Sequence, residues 1–505
     1  MALDGMRKHL TDNFTTIYHL DLGGNVRKNP KLSGTTHNVF GIQVGVGITI
    51  LVRRKSDRGE AQIHYHAMKA NARATEKLAQ LQAWGSIANV TWKDLTPDNR
   101  QTWLTEGIDS DFDTFPAMGT REGRASNAAP EVIFKTYSLG VSTNRDSIVY
   151  DFKSAALIPR VQQFMEDYNA EISRWVRAGR PKNVDSFVNY ARVKWSRNLK
   201  RDLQNERFVA SDDKNIRQSV YRPFVKQFLY FADTLIDERG ATGRFFPTSD
   251  SEEENTVLCL TAIGSERSFM VLAANDITDL HLTGAGTGAQ CFPFYTYAED
   301  GTHRQENITD WALSQFQEAR GAGVTKRDIF HYVYALLHDP EYRTRYAENL
   351  KRDLPHIPVV SEAFSAPFAR YAAIGAELMA LHLNYETAPE YRLDWIENRD
   401  LPQSYRVERM RLSKDKTQIV VNDSLTLAGV PALCFDYKLG SRSALDWVLD
   451  QYQTTTDRRT GIVSDPNRPD DPQYIVRLVG RIITVSMETL RLIAQLREED
   501  KNAAR

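Results

Sequence analysis

Hydrophobic positions along the chain fall into short alternating runs and longer helical stripes, and the period changes several times. "TTIYHLDLGG" (Thr15 to Gly24) alternates and ends in glycines, which predicts a strand closing in a turn. "VFGIQVGVGITILVRRK" (Val39 to Lys55) is β-branched and glycine-spaced and predicts a second, longer strand, with the basic loop "NVRKNPKLSGTTHN" between the two. "AQIHYHAM" predicts a third strand, and "ATEKLAQLQAW" a helix after it. These pieces indicate the sheet of an α/β domain, in a segment too small to be a complete one. The glycine-, alanine- and charge-rich stretch "AMGTREGRASNAAPE" (Ala117 to Glu131) is expected to be a linker. The organisation expected is therefore residues 1–116, a linker over 117–131, and a larger domain over 132–505.

Past the linker, "VIFKTYSLGVSTNRDSIVYDF" predicts two short strands and "IPRVQQFMEDYNAEISRWVRAG" a helix. Strand signals ("FLYFADTLI", "TVLCLTAIG", "QCFPFYTY") then alternate with helices, and "QYIVRLVGRIITVSMETLRLIAQL" closes on a helix. The expected fold class is α/β and α+β. In "DIFHYVYALLHDPEYRTRYAENLKRDLPHIP" (Asp328 to Pro358), Ile329, Val333, Leu336 and Leu337 share one helical face. After "HDP", Tyr342, Tyr346 and Leu350 mark a second face, and Pro355 ends it, so a helical hairpin is expected. Glu341, Arg345, Glu348 and Arg352 alternate in sign, the pattern of a solvated, ion-paired face.

Composition narrows the function classes. Sixty-four Lys and Arg against 65 Asp and Glu give a net charge of −1, so any surface for a polyanion must be local. Cys259, Cys291 and Cys434 are widely spaced in apolar surroundings, which suggests neither a zinc site nor a disulfide framework. There is no apolar run of membrane-spanning length and no signal-peptide core at the N-terminus, which points to a cytoplasmic protein without a membrane partner. The chain carries no G-x-S-x-G elbow, P-loop or H-E-x-x-H helix. "TGAGTGAQ" (Thr283 to Gln290) imitates part of a dinucleotide fingerprint but runs into a predicted strand, and is expected to be a turn. Asp151 before Lys153 and Asp436 before Lys438 echo half a nuclease signature without the acidic partner, so surface charge is the expectation. His64 and His66 alternate in a strand-like run and are expected to face solvent. Neither catalytic nor metal-ligating residues are assigned.

One stretch departs from neutrality. Phe187 to Lys226 holds Arg192, Lys194, Arg197, Lys200, Arg201, Arg207, Lys214, Arg217, Arg222 and Lys226 against Asp202, Glu206, Asp212 and Asp213, a local charge of +6. Lys194, Arg197 and Arg201 recur at helical spacing, so they can present one cationic edge to phosphates or, equally, form a solvated helix with packed aliphatic stems. "STNRD" (Ser142 to Asp146) and "YRPF" (Tyr221 to Phe224) set Asn144, Arg145 and Arg222 in turns, where they can read base edges or simply cap the turn.

The chain resembles the type ISP restriction–modification enzymes, large single-chain DNA translocases. The resemblance rests on the Asp328–Pro358 stretch and on "GGNVRKNPKLSGTTHNVFGIQVGVGI", "KTYSLGVSTNRDSIVYDF", "YRPFVKQFLYF", "QCFPFYTYAEDGTHRQENITDWAL", "LHLNYE", "LGSRSALDWVLDQYQ" and "RRTGIVSDPNRPDDPQYIV", in family order over nearly the whole chain. It implies a partial methyltransferase-like, Rossmann-type sheet over 1–116, and a mixed α/β target-recognition domain with a helical hairpin over 132–505. It also implies a chain cut from a longer enzyme or made by a split gene. The family's S-adenosylmethionine loop and N-P-P-Y tetrapeptide are absent, so no cofactor is expected here; S-adenosylmethionine, ATP and Mg belong to the full-length enzyme. The implied partners are double-stranded DNA and an upstream methyltransferase or helicase–nuclease polypeptide. The DNA-binding candidates are Lys194, Arg197, Lys200, Arg201, Arg217, Arg222, Lys226, Asn144, Arg145, Arg27 and Lys28. Phe40, near the implied catalytic pocket, is the candidate for stacking on an extruded base, against the alternative of a core phenylalanine. Two other functions remain: an adenine methyltransferase active by itself, and a structural partner that docks onto a separate methyltransferase or motor chain.

Overall fold

Strand β1 (Thr16–Gly23) is central to a four-stranded sheet in the order β2-β1-β3-β4. Its neighbours are β2 (Val46–Val52), antiparallel, and β3 (Gln62–Ala67), parallel; β4 (Lys93–Leu95) is antiparallel to β3. Helix α2 (Ala74–Trp84) follows β3, as expected from the sequence, and α1 (Ala2–Asn13), not anticipated from the sequence, precedes the sheet. The second strand is shorter than its β-branched run, because Asn38 organises the residues before it into turns. Its side-chain oxygen accepts from the Phe40 and Ile42 N–H groups, and its amide donates to the Val44 carbonyl.

The computed structural model describes residues 2–25, 36–55, 59–120, 131–265, 267–284, 286–359 and 367–497, so Arg27 and Lys28 lie outside the described residues. The chain divides into two compact units, Met1–Ile108 and Asp109–Arg505. The division comes before the expected linker because Phe112 and Met118 are buried in the core of the second unit, where Ala117 also forms a bridge with His356.

In the second unit, β9 (Val257–Thr261) has all five residues buried, as its unbroken apolar run suggests for a strand covered on both faces. Leu258 and Leu260 join one core, and Val257 and Cys259 another. The sheet runs β10-β9-β12-β5, with β5 (Ser138–Leu139), β10 (Val271–Ala274) and β12 (Ala289–Pro293), all antiparallel. "TGAGTGAQ" leads into β12 rather than into a helix, as expected. A second sheet runs β11-β7-β8-β6, with β6 (Tyr150–Asp151), β7 (Ile216–Arg222), β8 (Val225–Tyr230) and β11 (Ile277–Thr278). Helix α3 (Ser154–Arg177) lends Leu157, Val161, Phe164, Tyr168, Ile172 and Trp175 to the core on that side.

The hairpin stretch forms α5 (Lys326–Leu336) and two short helices, Pro340–Arg345 and Ala347–Leu350. Both expected apolar faces are buried. The tyrosines work through their hydroxyls: Tyr332 donates to the Pro358 carbonyl at 2.7 Å and Tyr342 to that of His356 at 2.6 Å, tying the returning chain to the helices. The charged stripe is ion-paired mainly to distant partners, Arg345 to Asp109 (2.7 Å) and Asp111, and Glu341 to Arg497 (2.6 Å). Helix α6 (Phe368–Leu383) crosses α5 so closely that a Cβ built on Gly375 would lie 1.9 Å from the His331 carbonyl oxygen.

The rest of the unit packs a four-stranded antiparallel sheet against α7 (Ala444–Gln451) and α8 (Tyr474–Gln495). The sheet runs β13-β16-β15-β14, with β13 (Asp394–Glu397), β14 (Arg411–Leu412), β15 (Gln418–Asn422) and β16 (Leu425–Ala428). Among the described residues, no helix is long and apolar enough to cross a membrane.

Candidate nucleic-acid interface

The basic segment centres on helix α4 (Arg197–Gln204). Ser196 caps it by accepting from the Leu199 N–H, and Leu199 and Leu203 are buried beneath it. Lys194 therefore precedes the helix in extended chain, held between buried Val193 and Trp195, rather than sharing a helical face as its spacing suggested. Arg197 and Arg201 are one turn apart and exposed.

Of the ten cations between Phe187 and Lys226, five are paired: Lys200 with Asp185, Arg207 with Asp202, Arg217 with Glu252, Arg222 with Asp279, and Lys226 with Asp276. Arg192, Lys194, Arg197, Arg201 and Lys214 are exposed and make no side-chain ion pair or hydrogen bond among the described residues. Half of the cations counted along the chain are thus paired, three of them with acids that arrive from later segments, Glu252, Asp276 and Asp279.

That corrects four of the expected DNA contacts. Arg145 is fully buried and donates to the Leu235 carbonyl (2.5 Å) and the Ser196 hydroxyl (3.0 Å), so it fixes the start of α4 from inside. Arg222 lies across the Tyr221 ring at 3.9 Å and bonds Asp279 at 2.7 Å; burial lifts the Asp279 carboxyl to about 6 even beside this guanidinium. Arg217 and Glu252 meet at 2.5 Å, and burial raises Glu252 to about 7. Lys226 meets Asp276 at 2.8 Å. All four are used internally, because a buried cation needs a carboxylate or carbonyl partner. Lys200 is half-buried, 2.6 Å from Asp185.

Asn144 stays on the surface with a left-handed backbone (φ 55°) and donates to Asp237 at 2.5 Å. The Asn198 side-chain amide of α4 donates to the Asp237 backbone carbonyl, so one residue links the loop to the helix. Two residues on, Asp146 accepts from Tyr221 at 3.1 Å and lines a cleft of about 340 Å³. Gln227, Gln451, Gln453, Thr455 and Thr456 line it too, a set of amides and hydroxyls able to donate and accept. Sequence inspection missed this cleft because its walls come from three separated segments, each ordinary alone.

In the first unit, Phe40 is 72% exposed, with Ile42 and Val44 exposed beside it, which rules out the core alternative. His64 and His66 are half-buried and hydrogen-bonded to Asp94 (2.6 Å) and the Thr91 carbonyl (2.7 Å), and are not free to solvent as expected. Cys259 and Cys291, distant in sequence, are register partners on β9 and β12 with sulfurs 3.8 Å apart. No group of three or more metal-ligating side chains occurs among the described residues.

The exposed cations near α4 can meet phosphates. The loop held to α4 through Asn198, Asp237 and Asn144 leads to a cleft that offers amides, hydroxyls, Arg160 and the carboxylates of Asp146, Asp450 and Asp457 as hydrogen-bonding groups. The model of the type ISP C-terminal specificity domain matches residues 132–478, and the chain belongs to this family. Among solved structures it is similar to a nuclease-deletion mutant of the type ISP restriction–modification enzyme LlaGI in complex with a DNA substrate mimic. That match has 31% identity and a TM-score of 0.81, over 98% of this chain and 45% of the other. It is also similar to the ATP-dependent type ISP restriction–modification enzyme LlaBIII bound to DNA (28%, TM-score 0.83, 99% and 32%) and to DrdV in a DNA complex (32%, 0.80, 99% and 49%). The chain thus spans less than half the length of each of these relatives. No curated protein matches it.

Proposed function

We propose that this chain recognises a specific sequence of double-stranded DNA for a bacterial restriction–modification enzyme, in the cytoplasm. What supports this most directly is membership of the specificity-domain family, together with similarity to type ISP enzymes solved in complex with DNA or a DNA substrate mimic. Residues 1–116 correspond in this reading to the rear of the adenine methyltransferase domain, and 132–505 to target recognition. Lys194, Arg197 and Arg201, with Arg192 and Lys214, grip phosphates; Asn144 and the amides of the cleft meet base edges. Phe40 is available to stack on an extruded base. Selection of bound duplexes from a randomised pool, with the purified chain, tests the reading: enrichment of one short motif is expected, and equal retention of all sequences overturns it.

Methyl transfer is not assigned to these residues, since the donor loop and N-P-P-Y sequence are absent; S-adenosylmethionine, ATP and Mg would act elsewhere in the enzyme. A second reading, docking onto a separate methyltransferase or motor polypeptide, is favoured by the edge strand β2. Ile48 and Ile50 are exposed there, beside the apolar groove lined by Leu81, Trp84 and Trp92. A chain that sediments as a monomer and binds its duplex tightly alone counts against it.

A further inference from the structure

The run "TTTDRRTGIVSDPN" (Thr454 to Asn467) contains two adjacent arginines in a turn-forming context, and nothing above gives them a role. It folds as a two-stranded hairpin, β17 (Thr455–Thr456) against β18 (Val463–Ser464). The tip is locked by one carboxylate: Asp457 accepts from the Arg459 N–H (3.1 Å), the Thr460 N–H (2.8 Å) and the Thr460 hydroxyl (2.7 Å). The Gly461 N–H donates to the Asp457 carbonyl at 2.8 Å, with Gly461 at φ +70°, where a side chain would be strained.

Both legs are fastened as well. The Thr454 N–H donates to the Glu408 carbonyl at 2.9 Å. Lys153 (3.1 Å) and Arg406 (3.3 Å) hold Asp465, while Asn467 and the Val407 backbone exchange two hydrogen bonds of 2.8 Å. The outcome is a fixed ribbon whose tip presents Arg458 and Arg459, both exposed and free of side-chain partners among the described residues. Thr455, Thr456, Asp457, Ile462 and Ser464 form one wall of the polar cleft, whose other wall carries Asp146 and Tyr221.

The hairpin tip thus stands beside the cleft, and α4 is tied through Asn198, Asp237 and Asn144 to the loop that brings Asp146 to its other wall. Two flanking phosphate contacts would hold a duplex with base edges toward the amides between them, and a two-stranded ribbon is narrow enough to approach a groove. We propose that the hairpin is a second DNA-backbone clamp, with Arg458 and Arg459 as its phosphate ligands. This rests on the DNA-recognition reading above.

The test uses the whole chain and a duplex carrying its selected motif, titrated at several salt concentrations. Arg458→Ala with Arg459→Ala is expected to lower the magnitude of the log–log salt slope by about two, weakening every duplex alike. Replacing both by lysine is expected to restore most of that slope. Wild-type slope and affinity in the double alanine variant overturn the clamp, as does a changed sequence preference at unchanged slope, or lysines that restore nothing. If the unmodified chain binds no duplex even at low salt, the DNA reading itself fails. Matching melting temperatures for variants and parent keep folding out of the comparison.

Discussion

Arginines with the same local sequence signal serve opposite purposes, and burial separates them. Arg197 is exposed and unpaired, whereas Arg222 is 12% exposed against an Asp279 that is 2% exposed. Arg222→Ala strands a buried carboxyl, and should cost about 3 kcal/mol in denaturant unfolding. Arg197→Ala should leave unfolding within about 0.5 kcal/mol of the parent while reducing the salt slope of DNA binding by about one. His382 illustrates burial of another kind: it bridges Tyr334 (2.5 Å) and Thr489 (2.9 Å), and burial depresses its pKa to about 3. The unfolded chain binds a proton there below about pH 6.5 and the folded chain does not, so stability falls as pH drops from 6.5 toward 3. His382→Gln should remove one proton from that dependence, seen as a flatter plot of unfolding free energy against pH, even though the variant is less stable overall.

Elements were the most legible level. β1, β3, α2, β9, β12 and α8 each carry their own period or unbroken apolar run, so their short-range pattern suffices to place them, whereas the run "FLYFADTLI" is strand only as far as Tyr230 and then turns. The helical hairpin was legible too, as a pair of apolar faces, but not the partners of its charges. Nothing in the spacing of Glu341 and Arg345 says that Arg497, Asp109 and Asp111 will reach them first. Close packing of elements was equally hidden. Gly375 sits where α6 meets the α5 backbone, and only a missing Cβ allows that distance. Gly375→Ala is expected to force the helices apart and lower stability by roughly 1–3 kcal/mol in urea or guanidinium unfolding, with the helical far-UV signal otherwise retained.

For the whole molecule, a net charge of −1 leaves room for local groups of exposed, unpaired cations, among them those around α4 and those at the 455–464 hairpin. Counterion release from the five unpaired cations of residues 192–214 predicts a salt slope of about −4 to −5, and the hairpin arginines would add about two more. Equilibrium titration of a specific duplex between low and physiological salt checks this; a slope near zero would refute a phosphate-gripping surface. By itself the sequence determined the mixed α/β and α+β class, the elements with a clear period or apolar run, and the family, because these follow from local periodicity and from motifs contiguous in the chain. Only the tertiary structure decided which cations remain free, that Cys259 faces Cys291, and that a polar cleft exists. Each depends on groups far apart in sequence meeting in space, and a buried carboxylate claims its arginine wherever along the chain that arginine lies.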